Sequence, residues 1–150
     1  MGEFGSIEEV LEFAIDRETE ANRFYLDLAR QVRTPGMKKV CEDLAKEELG
    51  HKAKLEAMMR SEIVVPQEKV TDLKIAQYTV EAKPGPNMDY KDMLILAMQK
   101  EKASFHLYSD LVQVVDNEAQ RQAFLSLAQE EARHKLRFEL EYDDVVLKEN

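Results

Sequence analysis

Four segments of this chain place apolar residues at alternating three- and four-residue steps, the pattern of a helix with one buried seam. The first runs Ile7, Leu11, Ala14, Glu18, Ala21, Tyr25, Leu28, Val32, and the third Tyr90, Leu94, Ala97, Glu101, Ser104, Tyr108, Leu111, Val115. The second reads Met37, Cys41, Leu44, Glu48, His51, Leu55, Met58, and the fourth Phe124, Leu127, Glu131, His134, Phe138. The stripes are apolar except at a few Glu, His and Ser positions. A three-four step holds side chains on one side of a helix, so these interruptions face whatever the neighbouring Leu and Phe face. They are predicted to point into a core.

Cap chemistry marks the boundaries. Ser6 with Glu9 reads as a capping box, Thr34-Pro35 as N-cap and first helical residue, Asp89 with Asp92 as the opening of the third helix, and Asp116-Asn117 as the break before the fourth. Short links after Val32 and Val115 make each half an antiparallel helical hairpin. Residues 62–88 lose the periodicity, with at most a short helix near Asp72 to Tyr78. A connection that long in a compact domain is explained by a crossover along helices of about 39 Å, at ~1.5 Å per residue. The second and third helices then run in the same direction, and the two hairpins face each other about a two-fold axis. The predicted class is all-α: a single domain over 1–150, with hairpin 1 at about 6–61, the crossover at about 62–88 and hairpin 2 at about 89–149.

Composition agrees with helices: five Gly, four Pro and no Trp suit a bundle better than a turn-rich β-sandwich. A net charge of −9, with no basic cluster longer than Lys38-Lys39, argues against nucleic-acid and anionic-membrane partners. Cys41 is the only cysteine, which excludes an internal disulfide and a Cys-x-x-Cys metal knuckle and suits a reducing cytoplasm. No segment resembles a signal peptide or approaches the roughly 20 apolar residues of a membrane span. Nothing functional is placed in Met1 to Ser6.

The polar interruptions carry the chemistry, because they repeat. Glu18, Tyr25, Glu48 and His51 recur as Glu101, Tyr108, Glu131 and His134, each at an offset of 83 residues (18 to 101, 48 to 131). A buried ionised carboxylate costs several kcal/mol unless it is paired or bound to metal, and four facing one another would repel as well. Two divalent ions carry +4 against −4 from the four carboxylates, so two metals balance where one does not. The i, i+3 spacing of Glu48 with His51, and of Glu131 with His134, puts a bridging oxygen and a terminal nitrogen on one face. Glu18 and Glu101 complete each ion terminally, leaving open positions as a redox or catalytic site requires. Mixed carboxylate and imidazole ligation suits iron, with manganese or zinc as substitutes.

The paired E-x-x-H motifs, each preceded by a seam Glu and Tyr, resemble the rubrerythrin branch of the ferritin-like di-iron carboxylate proteins over nearly the whole chain. The resemblance implies a ferritin-like four-helix bundle. It implies two irons held by Glu18, Glu48, His51, Glu101, Glu131 and His134, with Tyr25 and Tyr108 as hydrogen-bonding groups behind the ligands. It implies a non-haem oxidoreductase that reduces hydrogen peroxide or dioxygen by two electrons, and a homodimer. The single cysteine leaves no rubredoxin domain, so the electron donor is expected to be a separate, rubredoxin-like protein. At Ser104 the family carries an extra carboxylate, which this sequence lacks. The alternative function is an iron-binding or ferroxidase protein that handles or stores iron without peroxidase turnover.

Other residues receive plainer readings. Tyr25 and Tyr108 could equally be core aromatics with satisfied hydroxyls. Cys41, matched by Phe124 in the repeat, reads as a packed, inert thiol. His106 reads as a surface residue, Glu47 and Glu130 as solvated neighbours of the ligands, and Met58 and Met59 as helix-end packing.

Overall fold

The computed structural model describes residues 3–80, 82, 84–85 and 88–149. Its long helices are α1 (Ile7–Gln31), α2 (Pro35–Arg60), α5 (Tyr90–Val114) and α6 (Glu118–Glu149), with two short ones, α3 (Gln67–Asp72) and α4 (Ile75–Tyr78), in the connection. The four seams therefore form the four long helices, and no strand occurs among the described residues.

Caps fix the helix starts. Thr34 accepts from the Met37 amide, and Asp89 and Asp92 form a complete reciprocal capping box. Asn117 accepts from the Gln120 amide at 3.0 Å and so caps α6. At α1 the box forms only by half. Ser6 accepts from the Glu9 amide, but the Glu9 carboxylate accepts from Gly5 rather than from the Ser6 amide.

The hydrophobic interior is cut in two by a polar layer. One apolar cluster takes Val10, Leu11 and Ala14 of α1, Leu55 of α2, Leu107 and Leu111 of α5, and Phe124 and Leu127 of α6. The other takes Phe24 and Leu28 of α1, Met37 and Leu44 of α2, Met93 and Leu96 of α5, and Phe138 of α6. Glu18, Glu48, Glu101 and Glu131 lie between the two along their helices, all buried. Chain direction follows: α1 and α6 run from the first cluster to the second, α2 and α5 from the second to the first. The crossover thus reverses the order of the second hairpin relative to the first, as the long connection predicts.

The crossover is better packed than its broken periodicity suggests. Instead of one short helix near Asp72 to Tyr78 there are two, separated at Leu73 and Lys74, where Lys74 makes an isolated bridge with Glu3. Tyr78 is buried and donates to Asp110 of α5 at 2.6 Å. Residues 81, 83, 86 and 87 of the predicted crossover lie outside the described residues. The N-terminal segment contributes as well, because Phe4 is buried edge-on against Phe13. No helix is long and apolar enough to cross a membrane among the described residues.

Candidate metal centre

The polar layer brings the six repeated residues together. Glu18, Glu48, His51, Glu101, Glu131 and His134 are each at most 4% exposed. They fall into two overlapping groups, Glu18 with Glu48, His51 and Glu131, and Glu101 with Glu48, Glu131 and His134, and within each group one ligand atom per residue lies within 4.8 Å of the others.

Distances separate shared from private carboxylates. His51 Nδ1 lies 3.2 Å from Glu48 Oε1, 3.1 Å from Glu131 Oε1 and 3.6 Å from Glu18 Oε2. His134 Nδ1 lies 3.5 Å from Glu48 Oε1, from Glu131 Oε1 and from Glu101 Oε2. Glu48 and Glu131 thus face both imidazoles, whereas Glu18 faces only His51 and Glu101 only His134. The two rings lie nearly parallel, with centroids 6.0 Å apart.

These close approaches leave the donor atoms unsatisfied. Glu18 Oε2, Glu48 Oε1, Glu101 Oε2, both Glu131 oxygens and both Nδ1 atoms are buried without a hydrogen-bond partner among the described residues. Buried polar atoms are ordinarily paired, and an orphan costs about 1–3 kcal/mol. A convergent set of oxygen and imidazole nitrogen donors, orphaned together, fits two divalent cations: Glu48 and Glu131 would bridge, and Glu18 with His51 and Glu101 with His134 would be terminal.

Electrostatics point the same way. Burial, then the charges of Glu101 and Glu18, hold the Glu48 carboxyl well above its usual range. Burial and the charges of Glu101, Glu48 and Glu18 do the same at Glu131. Burial alone would lower the pKa of His51, but Glu131 and Glu18 outweigh it and push it up to about 10. His134 is raised too, burial being outweighed chiefly by Glu101. Without metal, protons take the place of cations in this layer.

The two tyrosines cross between hairpins. The Tyr25 hydroxyl of α1 donates to Glu101 Oε1 of α5, and the Tyr108 hydroxyl of α5 donates to Glu18 Oε1 of α1. Each takes one oxygen of a terminal carboxylate, leaving Oε2, the oxygen facing the imidazole, for a metal. Burial first, then the nearby carboxylates, raises both phenols well above their usual value, so the hydroxyls stay protonated and remain donors.

Glu130 differs from its expected solvated position. Its Oε2 lies 2.9 Å from His51 Nε2, so an α6 carboxylate braces an α2 imidazole. With Nε2–H donating to Glu130, the neutral ring presents the Nδ1 lone pair to the cluster. Its repeat partner Glu47 is half-exposed and stands 3.6 Å from His134 Nε2, beyond hydrogen-bond range. Among the other residues, Cys41 is buried and unpaired, with burial, Glu141 and Glu42 pushing its thiol up to about 12, and His106 is exposed. Met58 and Met59 are partly buried at the end of α2.

A four-helix bundle with two shared and two private carboxylates and two imidazoles is the architecture of the ferritin-like diiron-carboxylate proteins. The profile of the rubrerythrin family matches residues 9–142, and the chain belongs to that family. Among solved structures it is similar to a protein of Thermotoga maritima described as a ferritin-like diiron-carboxylate protein, at 22% identity and a TM-score of 0.78, covering 95% of this chain and 98% of that one. It is also similar to a hypothetical protein of Pyrococcus furiosus, at 25% identity and a TM-score of 0.72, covering 92% and 89%. No curated protein matches the sequence.

Proposed function

We propose that this protein is a non-haem di-iron oxidoreductase that reduces hydrogen peroxide or dioxygen with electrons from an external donor. The observation that carries the reading is the buried cluster itself, whose orphaned donors divide into two carboxylates shared by both groups and two carboxylate–imidazole pairs. When bound, a pair of irons supplies two electrons, one from each ion, to a small oxidant. The chain's own part is to hold and to exclude. Glu48 and Glu131 keep the two positions adjacent, Tyr25 and Tyr108 lock the terminal carboxylates through one oxygen each, and the two apolar clusters keep bulk water away.

Reduction of one hydrogen peroxide to two waters takes two electrons and two protons. The electrons come from a separate carrier such as a rubredoxin-like protein. The buried, unpaired Cys41 suits a reducing cytoplasm, and half-exposed Leu136 and Leu140 on α6 offer an apolar patch for a homodimer. Manganese or zinc would fill the same donor set. Iron handling or ferroxidase activity without turnover is the competing reading, and one experiment separates them. The protein is loaded anaerobically with two ferrous ions per chain, mixed rapidly with hydrogen peroxide or with dioxygen, and then given a reductant. Fast oxidation by peroxide followed by repeated turnover supports the oxidoreductase, while a single oxidation with retained ferric ion supports iron handling. Two irons still bound by the Glu48→Ala, Glu131→Ala variant would refute the site.

A further inference from the structure

Each helix that carries a terminal carboxylate has a small residue one turn later. Ala21 follows Glu18 on α1 and Ser104 follows Glu101 on α5, and the two are repeat partners at the same offset of 83 residues (21 to 104). Together they line a cavity of about 40 Å³ that reaches Glu48 and Glu101. A longer side chain at either position, such as the carboxylate expected at Ser104 by resemblance, would fill it. Larger grooves of about 450 and 580 Å³ elsewhere on the bundle touch none of the six cluster residues.

We infer that this opening between α1 and α5 is the port through which hydrogen peroxide reaches the metal centre, and that its size excludes bulkier hydroperoxides. The inference rests on the proposed oxidoreductase function. A single water needs roughly 10–15 Å³ of such space, so the cavity of about 40 Å³ admits a molecule the size of peroxide but no aryl or branched alkyl hydroperoxide. Its lining is polar in the sense peroxide needs. Arg17, whose Nε is buried without a hydrogen-bond partner among the described residues, is part of that lining, and Ser104 adds a hydroxyl that can donate or accept. Peroxide can accept from Arg17 and both donate to and accept from Ser104, whereas dioxygen donates nothing and accepts only weakly.

The mouth is also held in place. The Arg17 guanidinium is fixed by Glu20 at 2.9 Å and lies over the Phe13 ring, and its repeat partner Lys100 lies over Phe24. Two cations thus border an opening into a carboxylate-rich interior. Tyr78, hydrogen-bonded to Asp110, adds part of the wall from the crossover. The crossover therefore bounds the port as well as connecting the hairpins.

The test closes the port after folding. In Ser104→Cys, a near-isosteric change, the half-buried thiol is capped with methyl methanethiosulfonate on the folded, cobalt-loaded protein. Cys41 is fully buried with its thiol pushed up to about 12, so it escapes the reagent. Azide, a triatomic probe that fits the cavity, is mixed with capped and uncapped protein, and its association is followed by the visible absorption of the cobalt. The cap is expected to slow association by about tenfold or more and its reductive removal to restore the rate, because the added group fills the available space. Association within about twofold of the uncapped rate, with cobalt still bound at two per chain, would overturn the port and leave the metal centre standing. Failure of the unmodified protein to bind two cobalt ions would overturn both. In the iron-loaded protein, cumene hydroperoxide is expected to oxidise the site at least about a hundredfold more slowly than hydrogen peroxide, and equal rates would also overturn the port.

Discussion

Replacing both bridging carboxylates, Glu48→Gln with Glu131→Gln, should raise the stability of the metal-free protein while abolishing its stabilisation by metal. The prediction follows from charge within the polar layer. With every group ionised, four carboxylates face two imidazoliums, and the excess is concentrated on Glu48 and Glu131, whose carboxyls burial and neighbouring charge hold well above the usual range. Glutamine keeps the shape and removes the charge. What remains is one carboxylate per imidazole, Glu18 with His51 at 3.6 Å and Glu101 with His134 at 3.5 Å. Near neutral pH the metal-free protein must either bury these two charges or keep the carboxyls protonated, and the amides remove that cost, on the order of 1–3 kcal/mol. For a chain of this size that is several degrees, at about 2–4 °C per kcal/mol.

Metal reverses the ranking. A ligand present at 100 times its dissociation constant stabilises by about 2.7 kcal/mol per site, so two sites give roughly 5 kcal/mol and a shift of about 10–20 °C in the wild-type protein. The double variant has lost both bridges and should shift by less than about 3 °C. Thermal unfolding followed by far-ultraviolet circular dichroism, with chelator and with ferrous or cobaltous ion, measures both arms. A metal-free double variant less stable than wild type would show that the four carboxylates are satisfied by something other than metal, and the argument for the centre would fall.

Three further outcomes are expected. The folded state binds protons more tightly than the unfolded chain at Glu48, Glu131 and His51, the last raised to about 10, so their contribution is complete below the unfolded pKa values and is lost as pH rises through the folded ones. The Tm of metal-free protein should therefore fall between about pH 5 and 10, while the increment from metal grows over the same range because binding displaces those protons; a flat metal increment would refute this. Tyr25→Phe and Tyr108→Phe each remove a hydrogen bond to a terminal carboxylate and should cost about 1–3 kcal/mol in chemical denaturation, and a cost below about 0.5 kcal/mol would show that the hydroxyls do not lock those carboxylates. Glu130→Ala should weaken binding of one metal ion by about 10–100-fold in calorimetric titration, and Glu47→Ala by less, since only Glu130 reaches its imidazole. Equal effects would show that the two positions are braced alike.

The four helices and the six clustered residues were legible because their information is periodic. Every one of the six stands on an apolar seam, and a seam position has one direction to face. What escaped lies off the seams. Glu130 looks solvated on its own helix because its partner, His51, belongs to the other hairpin, and no periodicity within α6 encodes that contact. The available signal was the repeat, since Glu47 and Glu130 stand at the same offset as the ligands. The crossover was hidden for a related reason. Its helices are short, and Tyr78, Phe4 and the Glu3–Lys74 bridge are fixed by long-range partners rather than local pattern.

The repeat also sets up a symmetry that the structure then breaks away from the ligands. The ligand types match between halves, yet their supports do not: His51 has Glu130 at 2.9 Å, while His134 has Glu47 at 3.6 Å. A carboxylate on Nε2–H fixes the tautomer and strengthens Nδ1 as a donor, so the position built on Glu18 and His51 should hold its ion more firmly than the one built on Glu101 and His134. The small residues differ in the same manner, Ala21 being inert and Ser104 carrying a hydroxyl into the cavity beside Glu101. The cavity reaches Glu101 of the looser half and the shared Glu48, while neither Glu18 nor His51 lines it. The repeat sets two like groups of donors side by side, and divergence off the seams would leave one ion firmly held and the other, beside Glu101, nearer the proposed port.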